Sequence, residues 1–339
     1  MRINKIIISF IAAMFLTNFA LATEITGAGS SFVAPLMTKW SETYKAKTGD
    51  SLNYQSIGSG AGINQIKAKT VDFGATDNPM KGEDLDSLGM VQFPDVVGGI
   101  VQIFNIPGFK AGELVLDGVT SAMIFSGEIT KWSDAKIAAL NPGKKLPDQT
   151  ITVVTRSDGS GTTAIFTDYL SAVSSSWKEK VGSGGTVNWP AASNTGGKGN
   201  DGVAANVTRI AGAIGYVEYA YAKSNNIAYF DMINHDKKKV APTLETFSAA
   251  AALAKWESVP GMGIKLVNLP GEKSWPITGA SFIVMYKEPA DKAKSNAALK
   301  FFKYGLEQGQ KQAAELSYVA LPKNVVDYIA KNVWSKIKQ

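Results

Sequence analysis

Cysteine is absent from the 339 residues, and histidine occurs once. Without cysteine there are no disulfides, thiolate metal sites, redox motifs or thiol nucleophiles to consider. A chain of this length can bury enough core without them. The sole imidazole, His235 in Asn234-His235-Asp236, sits in a polar turn and reads as a solvated residue rather than a base. No Gly-x-Ser-x-Gly elbow, Gly-x-x-x-x-Gly-Lys phosphate loop or His-Glu-x-x-His zinc helix occurs. No pair of carboxylates has a spacing that suggests a catalytic dyad. Arginine-rich runs with interleaved aromatics are missing, which argues against nucleic acid, and Asp236-Lys237-Lys238-Lys239 reads as a turn. Internal repeats and low-complexity tails are lacking as well. Long apolar runs are confined to the start.

That start is Met1-Arg2-Ile3-Asn4-Lys5, then an apolar run from Ile6 to about Leu16, then Ala20-Leu21-Ala22 before Thr23. A charged start, a short apolar stretch and a small-x-small site describe a cleavable secretory signal over residues 1–22. The stretch is too short to anchor in a membrane without Thr17 and Asn18. With no cysteine after the cut, a lipid anchor is not expected. Removing residues 1–22 from 339 leaves 317, and the loss of Arg2 and Lys5 takes the formal charge from +6 to +4. A secreted, soluble protein of that length is expected to form two lobes. Its modest basic surplus gives a mild bias toward anions.

The first hundred mature residues alternate strand and helix signals. Glu24 to Thr26 reads as a short strand running into Gly27-Ala28-Gly29-Ser30-Ser31-Phe32, and a helix follows from about Ala34 to Lys47, with Leu36, Trp40 and Tyr44 at i+4 spacing. Ser51 to Ile57 alternates as a strand and breaks at Gly58-Ser59-Gly60-Ala61-Gly62; Ile63 to Lys69 reads as a short helix. Val71 to Asp77 is a buried-type strand closing on Asn78-Pro79. The fold class is α/β. In open parallel sheets of this class, ligands gather beyond the carboxyl ends of strands, which sets Ser31, Ser59 and Asp77 on one rim. Strand-like runs at Gly98–Asn105 and Ile277–Tyr286 bracket a segment with its own alternation: Ile151–Val154 as a strand, Thr162–Leu170 as a helix, Gly212–Tyr219 as strand-like. The expected division is lobe 1 from residues 23–105 plus 275–339 and lobe 2 from 106–274, with two crossings that form a hinge.

Arg156-Ser157-Asp158-Gly159-Ser160-Gly161-Thr162-Thr163 follows a strand and opens a helix. A helix start exposes unpaired N–H groups and the positive end of its dipole, both of which attract an oxyanion. Ser160 and Thr162 add hydroxyl donors, and Arg156 adds a planar fork suited to two oxygens of one anion. The plainer reading is a capped loop in which Asp158 and Ser160 only satisfy the helix end. Gly27–Phe32 and Gly58–Gly62 are two more glycine-serine loops between a strand and a helix, and three such loops in one chain point to a shared anion cradle. Gly197-Lys198-Gly199-Asn200-Asp201-Gly202 matches Gly-x-Gly-x-x-Gly, but no clear strand precedes it, and Asp201 reads as the N-cap of a helix over Val203–Ile210. The seven tryptophans read as packing.

In this order and spacing, these segments, with Asn53–Gly60, Phe93-Pro94, Asn105–Gly108, Gly127–Trp132 and Gly212–Tyr219, resemble the periplasmic phosphate-binding proteins of the bacterial phosphate ABC importer, a type II periplasmic-binding-protein family. The resemblance covers essentially the whole mature chain. It implies a Venus-flytrap fold of two α/β lobes closing on one dehydrated phosphate, and a membrane-embedded ABC permease complex as partner. Carried over position by position, it implies phosphate contacts from the Ser31 hydroxyl, the Phe32 N–H, Ser59 and Asp77 in one lobe, and from Arg156, Ser160, the Gly161 N–H and Thr162 in the other. The family has threonine where Ser31 stands, and either residue supplies the hydroxyl. Asp158 is implied to hold the plane of Arg156. An ionised Asp77 can only accept, so beside an anion it makes sense where the ligand brings a proton; the simpler alternative is that Asp77 caps the turn at Asn78-Pro79. No cofactor, metal or nucleic acid is implied, and a monomer is expected. Two alternatives stay open: a receptor of the same fold for sulfate or molybdate, and a secreted phosphatase.

Overall fold

Short apolar runs that alternate with helices build parallel βαβ units at both ends of one twisted sheet. The computed structural model describes residues 22–339, so all but the last residue of the expected signal segment lies outside the described residues. The strands are β1 (Glu24–Gly29), β2 (Ser51–Ser56), β3 (Phe73–Thr76), β4 (Met90–Phe104), β5 (Val115–Leu116), β6 (Thr152–Arg156), β7 (Asn194–Gly197), β8 (Ala213–Glu218), β9 (Ala228–Tyr229), β10 (Asp231–Ile233), β11 (Lys239–Val240), β12 (Leu266–Val267) and β13 (Ile277–Tyr286). The first eight helices are α1 (Ala34–Thr48), α2 (Ser59–Lys67), α3 (Gly82–Ser87), α4 (Gly118–Phe125), α5 (Ala135–Leu140), α6 (Gly161–Val173), α7 (Ser175–Lys180) and α8 (Gly199–Arg209). The main sheet runs β2-β1-β3-β13-β4-β8-β6-β7, and a small sheet β11-β10-β5 lies apart.

β1 pairs in parallel with β2 and β3, and β6 pairs in parallel with β7 and β8. Between these groups stand the antiparallel strands β13 and β4. All fifteen residues of β4 are buried; its first part pairs with β13 and its last five residues with β8. One strand therefore spans both halves of the molecule. Sequence reading finds only its second half, because Pro94 lacks an N–H and Asp95 is polar; a register shift accommodates both at this point. Residues 256–267, which fall in lobe 2 of the expected division, include β12, and β12 pairs with β13.

Helix α1 carries Pro in its first turn, buries Leu36, Trp40 and Tyr44 along one stripe, and ends at Gly49 in the left-handed conformation with its N–H on the Lys45 carbonyl. Trp40 and Tyr44 pack edge-on against Phe301 in the helix Lys292–Gln308.

Two local readings need correction. The glycine loop at 58–62 is not a break before a helix: α2 begins at Ser59. Its Gly62 lies so close to β1 that an added Cβ would sit 2.6 Å from the Ala28 carbonyl oxygen, so poor helix propensity is exchanged for close helix-on-sheet approach. A strand does precede the Gly-x-Gly-x-x-Gly match. β7 is Asn-Thr-Gly-Gly, a run with little β propensity, and exists because it completes the parallel ladder beside β6. Helix α8 then opens at Gly199 with Lys198 as its N-cap, so Asp201 is an exposed first-turn residue and not the cap.

Candidate functional site

Parallel strands place all their carboxyl ends on one edge. β1, β2 and β3 deliver Ser30–Phe32, Gly58-Ser59 and Asp77 to one rim; β6, β7 and β8 deliver Arg156–Ser160, Lys198–Asn200 and Glu218 to another. The rims meet. The Gly60 N–H donates to the Gly159 carbonyl at 2.9 Å, the Gly161 N–H to Ser59 Oγ at 3.1 Å, and the Asn200 N–H to Ser31 Oγ at 3.0 Å. Helices α2, α6 and α8 all begin at this seam, so three positive dipole ends converge on it.

The structure brings Ser31, Phe32, Ser59, Asp77, Arg156, Ser160, Gly161 and Thr162 into this buried seam. Ser59 Oγ accepts from the N–H groups of Asp77 (3.2 Å) and Gly161, and faces Asp77 Oδ2 at 3.5 Å. Thr162 Oγ1 accepts from Arg156 Nη1 at 3.3 Å and Asn200 Nδ2 at 3.1 Å. Ser160 is the N-cap of α6, its Oγ accepting from the Thr163 N–H at 3.0 Å, which leaves the hydroxyl hydrogen free to donate. The Phe32 N–H donates to Ser30 Oγ at 2.9 Å. Asp77 does not cap the Asn78-Pro79 turn; Thr76 Oγ1 does so, accepting from the Asn78 N–H at 3.1 Å.

Arg156 is held by a two-pronged pair, Nε to Asp158 Oδ1 at 2.8 Å and Nη2 to Oδ2 at 2.5 Å. Burial alone pushes the Asp158 carboxyl up; the guanidinium and the Gly199 N–H outweigh it and hold the acid below the usual carboxylate range. Asp77 goes the other way. Its burial pushes it from 3.8 up to about 7, while hydroxyls of Ser30, Ser281 and Ser59 and the charge of Arg156 draw it down. The seam thus offers hydroxyl and N–H donors, one guanidinium, and in Asp77 a carboxyl that burial makes easier to protonate. That combination can strip water from an oxyanion and accept a proton from it. Among the described residues no group of three or more His, Cys, Asp and Glu side chains is arranged to hold a metal ion.

Two residues here escape sequence reading. Ser30 Oγ donates to Asp77, 2.6 and 2.7 Å from its two oxygens, and accepts from Phe32; nothing local distinguishes it from the adjacent Ser31. Asn200 is fully buried and links three elements, donating to Ser31 Oγ (2.9 Å from Nδ2) and Thr162 while its Oδ1 accepts from the Glu218 N–H at 2.9 Å. Its place in the glycine loop is the only sequence signal. Asn200→Ala is expected to cost about 1–3 kcal/mol of unfolding free energy, since it leaves buried partners unpaired. Asp201→Ala, on the exposed side of the same turn, is expected to cost less than about 1 kcal/mol. Urea denaturation of both variants checks the contrast.

A family model described as a PBP superfamily domain matches residues 19–306. The Phosphate-binding protein PstS of Pasteurella multocida is 49% identical over 97% of this chain and 96% of its own length. The protein of that name from Haemophilus influenzae is 50% identical over 95% of this chain and 96% of its own. A solved high-affinity periplasmic phosphate-binding protein with bound phosphate superposes with a TM-score of 0.70 at 20% identity, covering 92% of this chain and 94% of that one. A putative phosphate ABC transporter substrate-binding protein with bound phosphate, from Clostridium perfringens, gives 0.65 at 20% identity, covering 88% and 100%. At such identities the structural likeness speaks for the fold.

Proposed function

The chain belongs to the phosphate-binding proteins of the PBP superfamily and has their two-lobed α/β fold, and from that premise we propose that it binds inorganic phosphate between its lobes and delivers it to an ABC-type importer. One observation carries the ligand assignment: three helix starts and a guanidinium meet at the buried carboxyl of Asp77, which as an anion can only accept a hydrogen bond. Donors replace the hydration that a phosphate dianion loses. Asp77 accepts the proton that phosphate carries and sulfate does not.

In this reading the first lobe, residues 23–105 plus 275–339, offers the Ser31 hydroxyl, the Phe32 N–H, Ser59 and Asp77. The second, residues 106–274, offers Arg156, Ser160, the Gly161 N–H and Thr162. Existing hydrogen bonds across the seam, such as Gly161 N–H to Ser59, are exchanged for bonds to the ligand. The chain acts as a monomeric periplasmic receptor that docks on a membrane permease, without cofactor, nucleic acid or turnover of its ligand. The expected signal segment supports the compartment. The absence of catalysis is supported by His235, the sole imidazole, which is half exposed and paired with Asp236 in its own turn.

Calorimetric titration of the phosphate-stripped protein at fixed salt tests the assignment. Phosphate and arsenate are expected to bind tightly and compete, and sulfate to bind far more weakly. Sulfate binding on a par with phosphate would make the chain a receptor for unprotonated oxyanions, and no binding of any of the three would remove the reading.

A further inference from the structure

Asp95 touches none of the donors described so far, yet it is buried beside them. β4 and β13 pair through Val96 with Ser281 and Pro94 with Phe282, so Asp95 is the extra residue of a β-bulge. β13 also pairs with β3 through Phe282 and Thr76, which sets Ser281 level with Asp77. Asp77, Ser281 and Asp95 therefore stand at one height on three neighbouring strands. Bulges recur beside functional sites because they re-aim a side chain. Asp95 is 1% exposed, and neither its two oxygens nor the Ser281 hydroxyl meets a hydrogen-bond partner among the described residues. A buried, partnerless carboxylate anion is among the costliest groups a core can hold; a carboxylic acid avoids that cost and gains a donor.

The surrounding charges agree. Burial pushes Asp95 up to about 8 and the Asp77 charge adds to this, while the Ser281 hydroxyl and the N–H groups of residues 95 and 96 draw it down. Ser281, on the strand between them, draws Asp77 down too, though its hydroxyl forms no hydrogen bond to either acid in this arrangement. Glu218 is pushed well up by burial, with the Asp77 charge adding to it, and the charge of Arg156 draws Asp77 down. The phenols of Tyr54, Tyr221 and Tyr318 also face this cluster, and burial raises all three.

We propose that Asp95 is a positioning residue of the anion site: protonated, it donates to the Ser281 hydroxyl, which in turn donates to Asp77 and keeps that carboxylate ionised to accept the ligand proton. The inference rests on the phosphate reading above. When Asp95 loses its proton to solvent, Ser281 turns its hydrogen toward the new anion. Asp77 then loses a donor and gains a like charge, and a second negative charge lies behind the phosphate. Binding above that ionisation draws one proton back from solvent, and affinity falls about tenfold per pH unit.

Calorimetry with inorganic phosphate from pH 7 to 9.5, at constant ionic strength and in buffers of differing ionisation enthalpy, reads both affinity and protons taken up. The charge of free phosphate scarcely changes over the upper part of this range and is the same for every variant. The unaltered chain is expected to bind about tenfold or more weakly at pH 9.5 than at pH 8, with close to one proton taken up per phosphate. Asp95→Asn, an isostere of the neutral acid, is expected to change less than about threefold and take up almost none. Asp95→Thr serves the same comparison should the amide impair folding. A variant that keeps the full slope and proton uptake, or a flat profile in the unaltered chain, overturns the proposal. Failure of the unaltered chain to bind phosphate even at pH 7 removes the phosphate reading instead.

Folding gives a readout that does not need the ligand. An acid raised from 3.8 to about 8 holds more protons folded than unfolded, so its contribution to stability is intact below pH 3.8 and is lost as pH rises toward about 8. Asp95→Asn is expected to flatten part of that loss in urea unfolding measured from pH 4 to 9. A slope equal to that of the unaltered chain counts against a proton on Asp95.

Discussion

Asp77→Asn is expected to bind phosphate and sulfate with affinities that lie far closer together than those of the unaltered chain. Discrimination should fall by about 10²-fold or more, out of the 10⁴–10⁵ that a site built around one ligand proton can reach. The carboxyl of Asp77 is 3% exposed and held by Ser30 at 2.6 and 2.7 Å, so it is fixed in place rather than free to turn away. As an anion it can only accept, and it meets sulfate with like charge and no hydrogen to share. The amide of the variant removes the charge and can offer an N–H, so the penalty against sulfate disappears while phosphate keeps an acceptor in the carbonyl oxygen. Competition calorimetry with the two anions reads the ratio. Discrimination that stays as high as in the unaltered chain would mean that Asp77 does not read the proton.

Arg156→Ala is expected to weaken phosphate binding by about 1.5–3 kcal/mol or more, the range for hydrogen bonds to charged groups. That corresponds to roughly tenfold to hundredfold in the dissociation constant. Arg156 is buried, and two of its nitrogens are occupied by Asp158. Removing the guanidinium therefore deletes a ligand charge and also strands the half-buried Asp158 carboxylate at the mouth of an anion site. Asp158→Asn separates these effects: the guanidinium stays, its orientation loosens, and the loss should be smaller than for Arg156→Ala. An unaltered dissociation constant in the alanine variant would exclude Arg156 from the site.

Much of the local order was legible in the residues. Apolar stripes and glycine stops marked α1, and strand-loop-helix junctions at Ser31, Ser59 and Arg156 flagged the anion-attracting helix starts, because capping and dipole effects act over a few neighbouring residues. Where propensity and context disagreed, context prevailed. β7 has almost no strand character and exists only as the neighbour of β6. The glycines of α2 lower its helix propensity and are needed for its seat on β1.

The roles of individual side chains at the seam depend on contacts between residues far apart in the chain. Ser30 and Ser31 are chemically identical, yet one faces Asp77 and the other Asn200, 169 residues away. Asp95 looks like an interruption in an apolar run until β13 pairs across it and makes it the extra residue of a bulge beside Ser281. Residue order alone was enough for the class of fold and the chemistry of each loop, since those follow from periodicity and from groups a few bonds apart. Which hydroxyl meets which acid came only with the folded sheet, because strand register sets those distances and burial sets how readily each acid gives up its proton.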